Sequence, residues 1–239
     1  MLLSKRFYLT LQTIQFKPMK TLVSIIALFL YASTLLAQPL AEGRIVYDIK
    51  LGKETDPQMA SMMPKEAFSW FKKGKSRFEM TMMMGMKSTT ITDDAAKTSV
   101  VLMDMMGNKY AIKSKVDEPN PEAKKVMDDA KVTQTTETKV IAGYKCTKSI
   151  IDIKDKSGES SQFEIWTTKE LAFSGKGQEG PLSKVDGAAL EFSIAQGPIT
   201  MTLTARIVSK EAVSDDKFIV PKDYKEMSAD DFKKSMGGR

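Results

Sequence analysis

The pattern of apolar and polar positions is clearest in residues 78–86, where apolar side chains recur at every second position. The positions are Phe78, Met80, Met82, Met84 and Met86. Successive side chains of a β-strand point to opposite faces, so this pattern predicts a half-buried strand whose inner face is mostly thioether. Methionine is flexible and polarisable. The strand is therefore expected to form either an adaptable core or the floor of an apolar pocket.

The same alternation recurs through the rest of the chain, as in residues 45–51 and 199–207. We predict about nine to ten short antiparallel strands in all. The turn at Lys73-Gly74 is expected to close a hairpin, with the glycine at positive φ. A helix is predicted over residues 120–130, because Asn, Pro and Glu open it, and another from Ser228, which forms a capping-box pair with Asp231.

The fold class that follows is mainly β, a β-rich α+β domain. A sheet with one apolar face must cover that face. We expect a strongly curved antiparallel sheet, or unclosed β-barrel, with one or two helices in or across its concavity. A closed barrel and a two-sheet sandwich are the alternatives.

Residues 1–37 carry the features of a secretory signal peptide. Lys20 precedes an apolar run from Thr21 to Leu36, and a small residue, Ala37, ends it. We predict cleavage after Ala37, a single mature domain over residues 38–239, and a periplasmic or secreted location. An uncleaved N-terminal anchor is the alternative. No cysteine lies near the cleavage site, so the protein is not expected to be a lipoprotein.

The charge distribution argues against nucleic-acid binding. Removal of residues 1–37 takes away four basic residues and no acidic ones, which lowers the net charge from +6 to +2. The remaining lysines alternate with acids, as on a solvated face.

The residue types argue against an enzyme, a metal centre or a cofactor site. The chain has no histidine and one cysteine, Cys146. It therefore lacks the commonest general base and metal ligand, and no intrachain disulfide is possible. Cys146 is expected to be a small apolar residue on a buried strand.

Methionine-rich strands leave three interpretations open. They are an apolar ligand-contacting surface, a plain core, or a Cu(I) site, since thioethers are soft ligands. The methionines that would converge in a Cu(I) site are Met80, Met82, Met84, Met103, Met105 and Met106.

An ordered set of short motifs resembles an uncharacterised Gram-negative envelope family, domain of unknown function 4412. The motifs are residues 141–148, residues 165–171, a Gly-Lys-x-Arg hairpin at 74–77, Ile91 with Asp93, Lys109-Tyr110, and residues 218–221 with Tyr224. That family in turn resembles the lipoprotein-carrier (LolA-like) superfamily. The resemblance implies an unclosed β-barrel whose helices plug a hydrophobic cavity for an acyl chain or other apolar ligand. It brings no catalytic residues.

The leading hypothesis is therefore a non-enzymatic periplasmic carrier for an apolar small molecule or lipid. The candidate ligand contacts are Phe78, Met80, Met82, Met84, Met103, Phe173, Leu190, Phe192 and Met201. The alternative is an envelope scaffold or stress-sensing protein with a filled core, which would have another envelope protein as its partner.

Residues 169–187 form a polar, glycine-containing segment with few large apolar groups. We predict a loop that opens more readily than the strands around it. Beside a cavity mouth it would act as a lid, with Phe173 and Leu182 closing over the ligand.

Overall fold

A computed structural model describes residues 38–52, 55–81, 85–115, 125, 128–154, 160–174, 181–196 and 199–235. All of them belong to one compact unit. The first six strands are β1 (Glu42–Leu51), β2 (Glu66–Lys72), β3 (Lys75–Thr81), β4 (Lys87–Asp93), β5 (Thr98–Met105) and β6 (Asn108–Lys115). The other six are β7 (Lys131–Ile141), β8 (Tyr144–Lys154), β9 (Ser160–Thr168), β10 (Ala188–Gln196), β11 (Ile199–Ser209) and β12 (Lys225–Ser228). Two short helices are α1 (Pro57–Met62) and α2 (Ala229–Ser235).

The strands form a single curved, unclosed sheet in the order β12-β6-β5-β4-β3-β2-β1-β11-β10-β9-β8-β7. Neighbouring strands are antiparallel, except that β12 runs parallel to β6. β1 lies in the interior of the sheet and pairs with both β2 and β11. The expected fold class, a mainly β protein built on an unclosed barrel-like sheet, is confirmed.

The number of strands differs from the prediction, because the sheet has twelve rather than nine or ten. β12 was missed because it is four residues long and its sequence, Lys-Glu-Met-Ser, has no alternating apolar face. Most of the predicted helix 120–130 lies outside the described residues. The capping box at Ser228 is confirmed, since the Asp231 backbone amide donates to the Ser228 hydroxyl at 3.1 Å.

The continuous strand predicted over residues 78–86 is wrong in length. β3 ends at Thr81, Gly85 takes a φ of 74°, and β4 begins at Lys87. A left-handed residue interrupts the extended backbone, so Met86 does not continue the face that carries Phe78 and Met80. Met82 and Met84 lie outside the described residues.

The predicted hairpin at Lys73-Gly74 is confirmed. Both turn residues have positive φ, 48° and 81°, as a two-residue type I′ turn requires. The turn joins β2 and β3 in register, with Lys72 opposite Lys75.

Hydrophobic side chains pack on both faces of the sheet. Most of the main cluster lies on the concave face and centres on β1, β2, β10 and β11, where Ile45, Phe71 and Leu203 are fully buried. A smaller cluster lies on the convex face, where Ile91, Leu102 and Ala111 are covered by Phe218, Val220 and Tyr224.

The covering segment after β11 is also fixed by polar contacts. The Lys217 ammonium lies 4.1 Å from the centre of the Trp70 ring. The backbone carbonyl of Lys217 accepts a hydrogen bond from the Arg77 guanidinium at 3.0 Å. This segment therefore covers the convex face over β2–β6.

Among the described residues, no helix combines the length and the apolar character needed to cross a membrane.

Candidate functional site

A cavity of about 500 Å³ lies between the two halves of the curved sheet. On β2–β4 the lining residues are Ser69, Ser76, Phe78, Met80, Ser88 and Thr90. On β8–β10 they are Ile151, Ile153, Phe163, Ile165, Thr167, Ala189, Phe192, Ser193 and Ile194. Tyr47 contributes from β1, and Phe173, Ser174, Val185 and Gly187 contribute from the connection between β9 and β10.

The β2–β4 side is rich in hydroxyl groups, and Ser69, Ser76, Ser88 and Thr90 are called the hydroxyl wall from here on. Register explains why they lie together. Ser69 pairs with Phe78, and Phe78 pairs with Thr90, so the three share one face in neighbouring strands. The Ser76 hydroxyl lies 2.6 Å from the Thr92 hydroxyl, which is a buried hydrogen bond.

The opposite side is almost entirely hydrocarbon, and it is called the hydrocarbon wall. Its six large apolar residues are Ile151, Ile153, Phe163, Ile165, Phe192 and Ile194. Ile151 pairs with Phe163 and Ile165 pairs with Phe192, so period-two alternation on three adjacent strands produces one continuous apolar face.

Three aromatic rings connect the two walls. The Tyr47 ring centre lies 6.0 Å from that of Phe78 and 5.8 Å from that of Phe192, both edge to face. The Tyr47 hydroxyl donates to the Ala189 carbonyl at 2.9 Å. Burial raises the pKa of Tyr47, so the phenol stays neutral and acts as a fixed donor.

The residues that follow β9 are tied to one end of the cavity. Phe173 stacks on Phe71 with ring centres 4.9 Å apart. The Ser174 amide and hydroxyl both donate to one carboxylate oxygen of Asp94, at 2.9 and 3.0 Å. Gly74 donates its amide to the Ala172 carbonyl at 2.9 Å. This part of the predicted lid is therefore anchored to the hairpin turns.

The rest of that segment is described only in part. Residues 175–180, and the side chain of Leu182, lie outside the described part of the chain. Leu171 and Val185 are buried, at 3% and 4% exposure, so the segment is held at both ends.

The structure brings four of the nine predicted ligand contacts to the cavity, namely Phe78, Met80, Phe173 and Phe192. Leu190 and Met201 are fully buried in the main cluster and do not line the cavity. Met103 pairs with Ser88, which places it on the concave face one strand beyond the lining residues. Met82 and Met84 lie outside the described residues.

The methionines proposed for Cu(I) do not form a single group in the described structure. Met80 and Met103 face the same side but β4 lies between them. Met106 sits in a turn and is 74% exposed.

Sequence reasoning missed most of both walls. Ile151, Ile153, Phe163 and Ile165 alternate with polar residues, which is a usable signal for an inward face. The hydroxyl wall had no such signal, because Ser and Thr on an inner face read as interruptions of the apolar pattern.

The described lining carries no charged side chain, and no three His, Cys, Asp or Glu residues in the described part of the chain come together as a metal site. Cys146 is fully buried, and desolvation raises the pKa of its thiol to about 11. The described lining can therefore bind and orient a molecule through apolar contacts and neutral hydrogen bonds.

Comparison with known families identifies one match, the domain of unknown function DUF4412, over residues 53–175, which is 123 of the 239 residues. The chain belongs to the DUF4412 family. The DUF4412 match extends from just before α1 to the residues that follow β9, including Phe173 and Ser174. It therefore includes the hydroxyl wall and the β8–β9 part of the hydrocarbon wall, whereas β1, β10 and β11 lie outside it.

Solved structures similar to this DUF4412 protein include a LolA superfamily protein from Nitrosomonas europaea. The two share 8% sequence identity, and the match covers 77% of this chain and 93% of the other, with a TM-score of 0.31. A TM-score this low does not establish a role for this chain. The search of curated proteins finds no match.

The motifs that resemble the family have structural roles in this DUF4412 chain. Trp166 lies on the convex face, with the Lys139 ammonium 4.1 Å from its ring centre. The Glu170 carboxylate accepts the Lys145 amide at 3.0 Å, and Leu171 bridges to Leu40. These contacts fasten β8 and β9 to the start of β1, and they place no reactive group in the cavity.

Proposed function

We propose that this protein is a non-enzymatic carrier that holds an apolar ligand, such as a lipid or acyl chain, in the cavity between the two halves of its sheet. The observation that carries the proposal is the hydrocarbon wall: six large apolar side chains line one side of a cavity of about 500 Å³.

Cavity size supports a ligand site over a filled scaffold core. Small-molecule sites occupy roughly 300–1,000 Å³ and are mostly apolar with a few polar groups. A core that merely supports a scaffold is close-packed, with few voids larger than a water molecule. The volume of about 500 Å³ falls within the range of ligand sites.

The location belongs to the same proposal. Residues 1–37 would direct export and be removed after Ala37, leaving the β domain in the periplasm or outside the cell. Export would bring the carrier to its lipid source, the membranes of the envelope.

Dye binding tests the proposal directly. Purified protein of residues 38–239 is titrated with Nile red, a neutral dye whose emission rises in apolar surroundings. We expect saturable binding that free lipid displaces. Thr90→Phe places a large ring in the cavity from the middle of β4 and should abolish dye binding.

Lys87→Phe is the matched control, because Lys87 lies on the same strand but is exposed. It should bind dye as the unmodified protein does. Circular dichroism of both variants verifies the fold. Absence of saturable binding in a folded protein, or equal binding by both variants, would refute the carrier role.

A further inference from the structure

The hydroxyl wall has a property that an apolar ligand alone does not use. In the described structure, the hydroxyls of Ser69, Ser88 and Thr90 make no hydrogen bond to another protein group. Ser76 differs, since it is paired with Thr92. Three neutral hydroxyls therefore face the cavity with their hydrogen-bonding capacity unused.

A purely hydrocarbon ligand fits this wall poorly. Burying a hydroxyl against hydrocarbon without a partner costs free energy, and Ser69 is only 3% exposed. A bound alkane would either leave these groups unsatisfied or leave water between itself and the wall. A ligand that carries oxygen atoms along one side would satisfy them.

A charged ligand head fits poorly as well. The described lining includes no Lys, Arg, Asp or Glu. A carboxylate or phosphate moved into the cavity would lose its water without gaining an opposite charge. The lining therefore favours an uncharged polar group over an ionised one.

We infer that the ligand is an uncharged amphiphile, a lipid whose hydroxyl or ester oxygens contact Ser69, Ser88 and Thr90 while its acyl chain lies against the hydrocarbon wall. A monoacylglycerol is the simplest molecule of this class. The inference rests on the proposed carrier function and adds the chemical class of the ligand.

Register gives the polar groups a defined spacing. Ser69 on β2 and Thr90 on β4 both lie opposite Phe78 of β3. Ser88 is two residues before Thr90 on β4, on the same face of the sheet. Neighbouring strands are about 4.8 Å apart and alternate residues of a strand are about 7 Å apart, so Thr90 lies about 10 Å from Ser69, with Phe78 between them, and about 7 Å from Ser88. The oxygens of a glycerol ester, together with the reach of the two side chains, span the distance between Ser88 and Thr90, so one head group reaches both of these hydroxyls.

The test compares three probes of equal chain length by displacement of Nile red: 1-monomyristoylglycerol, ionised myristate at pH 8, and tetradecane. We expect the monoacylglycerol to bind at least tenfold more tightly than myristate. The double variant Ser88→Ala/Thr90→Val should lose about tenfold in affinity for the monoacylglycerol, as expected for two neutral hydrogen bonds. Its affinity for tetradecane should be unchanged or higher.

Ser161→Ala is the matched control, because Ser161 is an exposed serine on β9 that does not line the cavity. This variant should keep the preference for the monoacylglycerol. Nile red binding by the double variant verifies that the cavity survives.

The outcomes separate the two proposals. If Nile red and all three probes fail to bind, both the carrier function and this inference are wrong. If myristate or tetradecane binds as tightly as the monoacylglycerol, the carrier function stands and the ligand class is wrong. Equal affinity of the double variant and the unmodified protein for the monoacylglycerol also overturns the ligand class.

Discussion

Tyr47 is one of the side chains that join the two walls of the cavity. Its ring contacts Phe78 on one wall and Phe192 on the other, and its hydroxyl bonds to the backbone of Ala189. Ala189 precedes an irregularity in the pairing of β10 with β9, where the ladder does not satisfy every backbone group. The phenol therefore gives the Ala189 carbonyl a hydrogen-bond partner beside an irregularity in the sheet.

We predict that Tyr47→Phe lowers the free energy of unfolding by about 1–2 kcal/mol, because the half-buried Ala189 carbonyl loses its donor. Urea unfolding followed by circular dichroism measures the change. Tyr144→Phe, in the turn region of the β7–β8 hairpin, is the control and should change stability by less than about 0.5 kcal/mol. Equal effects of the two substitutions would contradict the assigned hydrogen bond.

Cys146 gives a second prediction at the residue scale. Because burial raises the pKa of its thiol from 9.0 to about 11, the native protein should react very slowly with Ellman's reagent at pH 8, and urea should make the thiol reactive. Preferential protonation in the folded state stabilises it below pH 9. That contribution falls as the pH rises from 9 towards 11, because the unfolded thiol then ionises first.

Comparison with Cys146→Ala isolates this contribution. The loss of stability between pH 9 and pH 11 should be larger in the unmodified protein than in the variant. Rapid labelling of the native protein at pH 8 would show that the thiol is accessible and the assigned burial wrong.

At the scale of elements, the start of β10 depends on a glycine. Gly187 has a φ of 92°, and a Cβ atom there would lie 2.5 Å from the Thr168 carbonyl oxygen. Gly143, in the β7–β8 turn, has a φ of 88° but has open space around the same position. The two glycines share a backbone conformation and differ in surroundings.

We predict that Gly143→Ala costs about 1 kcal/mol, the strain of a left-handed alanine, and that Gly187→Ala costs at least about twice as much because of the added clash with backbone. Urea unfolding of both variants measures the difference. Because Gly187 also lines the cavity, Gly187→Ala should weaken Nile red binding, whereas Gly143→Ala should not. Equal costs would mean that the β9–β10 connection adapts freely.

At the scale of the whole molecule, alternation along the chain predicted the class of fold and most of its strands. It also predicted that Phe78, Met80 and Phe192 face inward, because side-chain direction within a strand is a local property. Turn chemistry at Gly74 and the cap at Ser228 were predictable for the same reason.

What the sequence did not reveal depends on contacts between distant residues. Whether an inward residue lines a cavity or fills a core is decided by what lies opposite it. Leu190 and Met201 are packed in the main cluster, whereas Phe192 lines the cavity. The serines of the hydroxyl wall are the clearest case, because Ser69 has no periodic signature and its role appears only when β2 and β4 are placed against β8–β10.

The pairing of β1 with β11 has a consequence for how the chain folds. Leu51 pairs with Met201 and Arg44 with Ser209, so the first strand of the described sheet completes its pairing with the next-to-last one along the chain. Contacts of such long sequence separation close slowly. Until β11 is available, one edge of β1 is unpaired and open to strands of other chains. The described sheet therefore cannot form strand by strand from β1, and its early intermediates need protection from association until β11 is present.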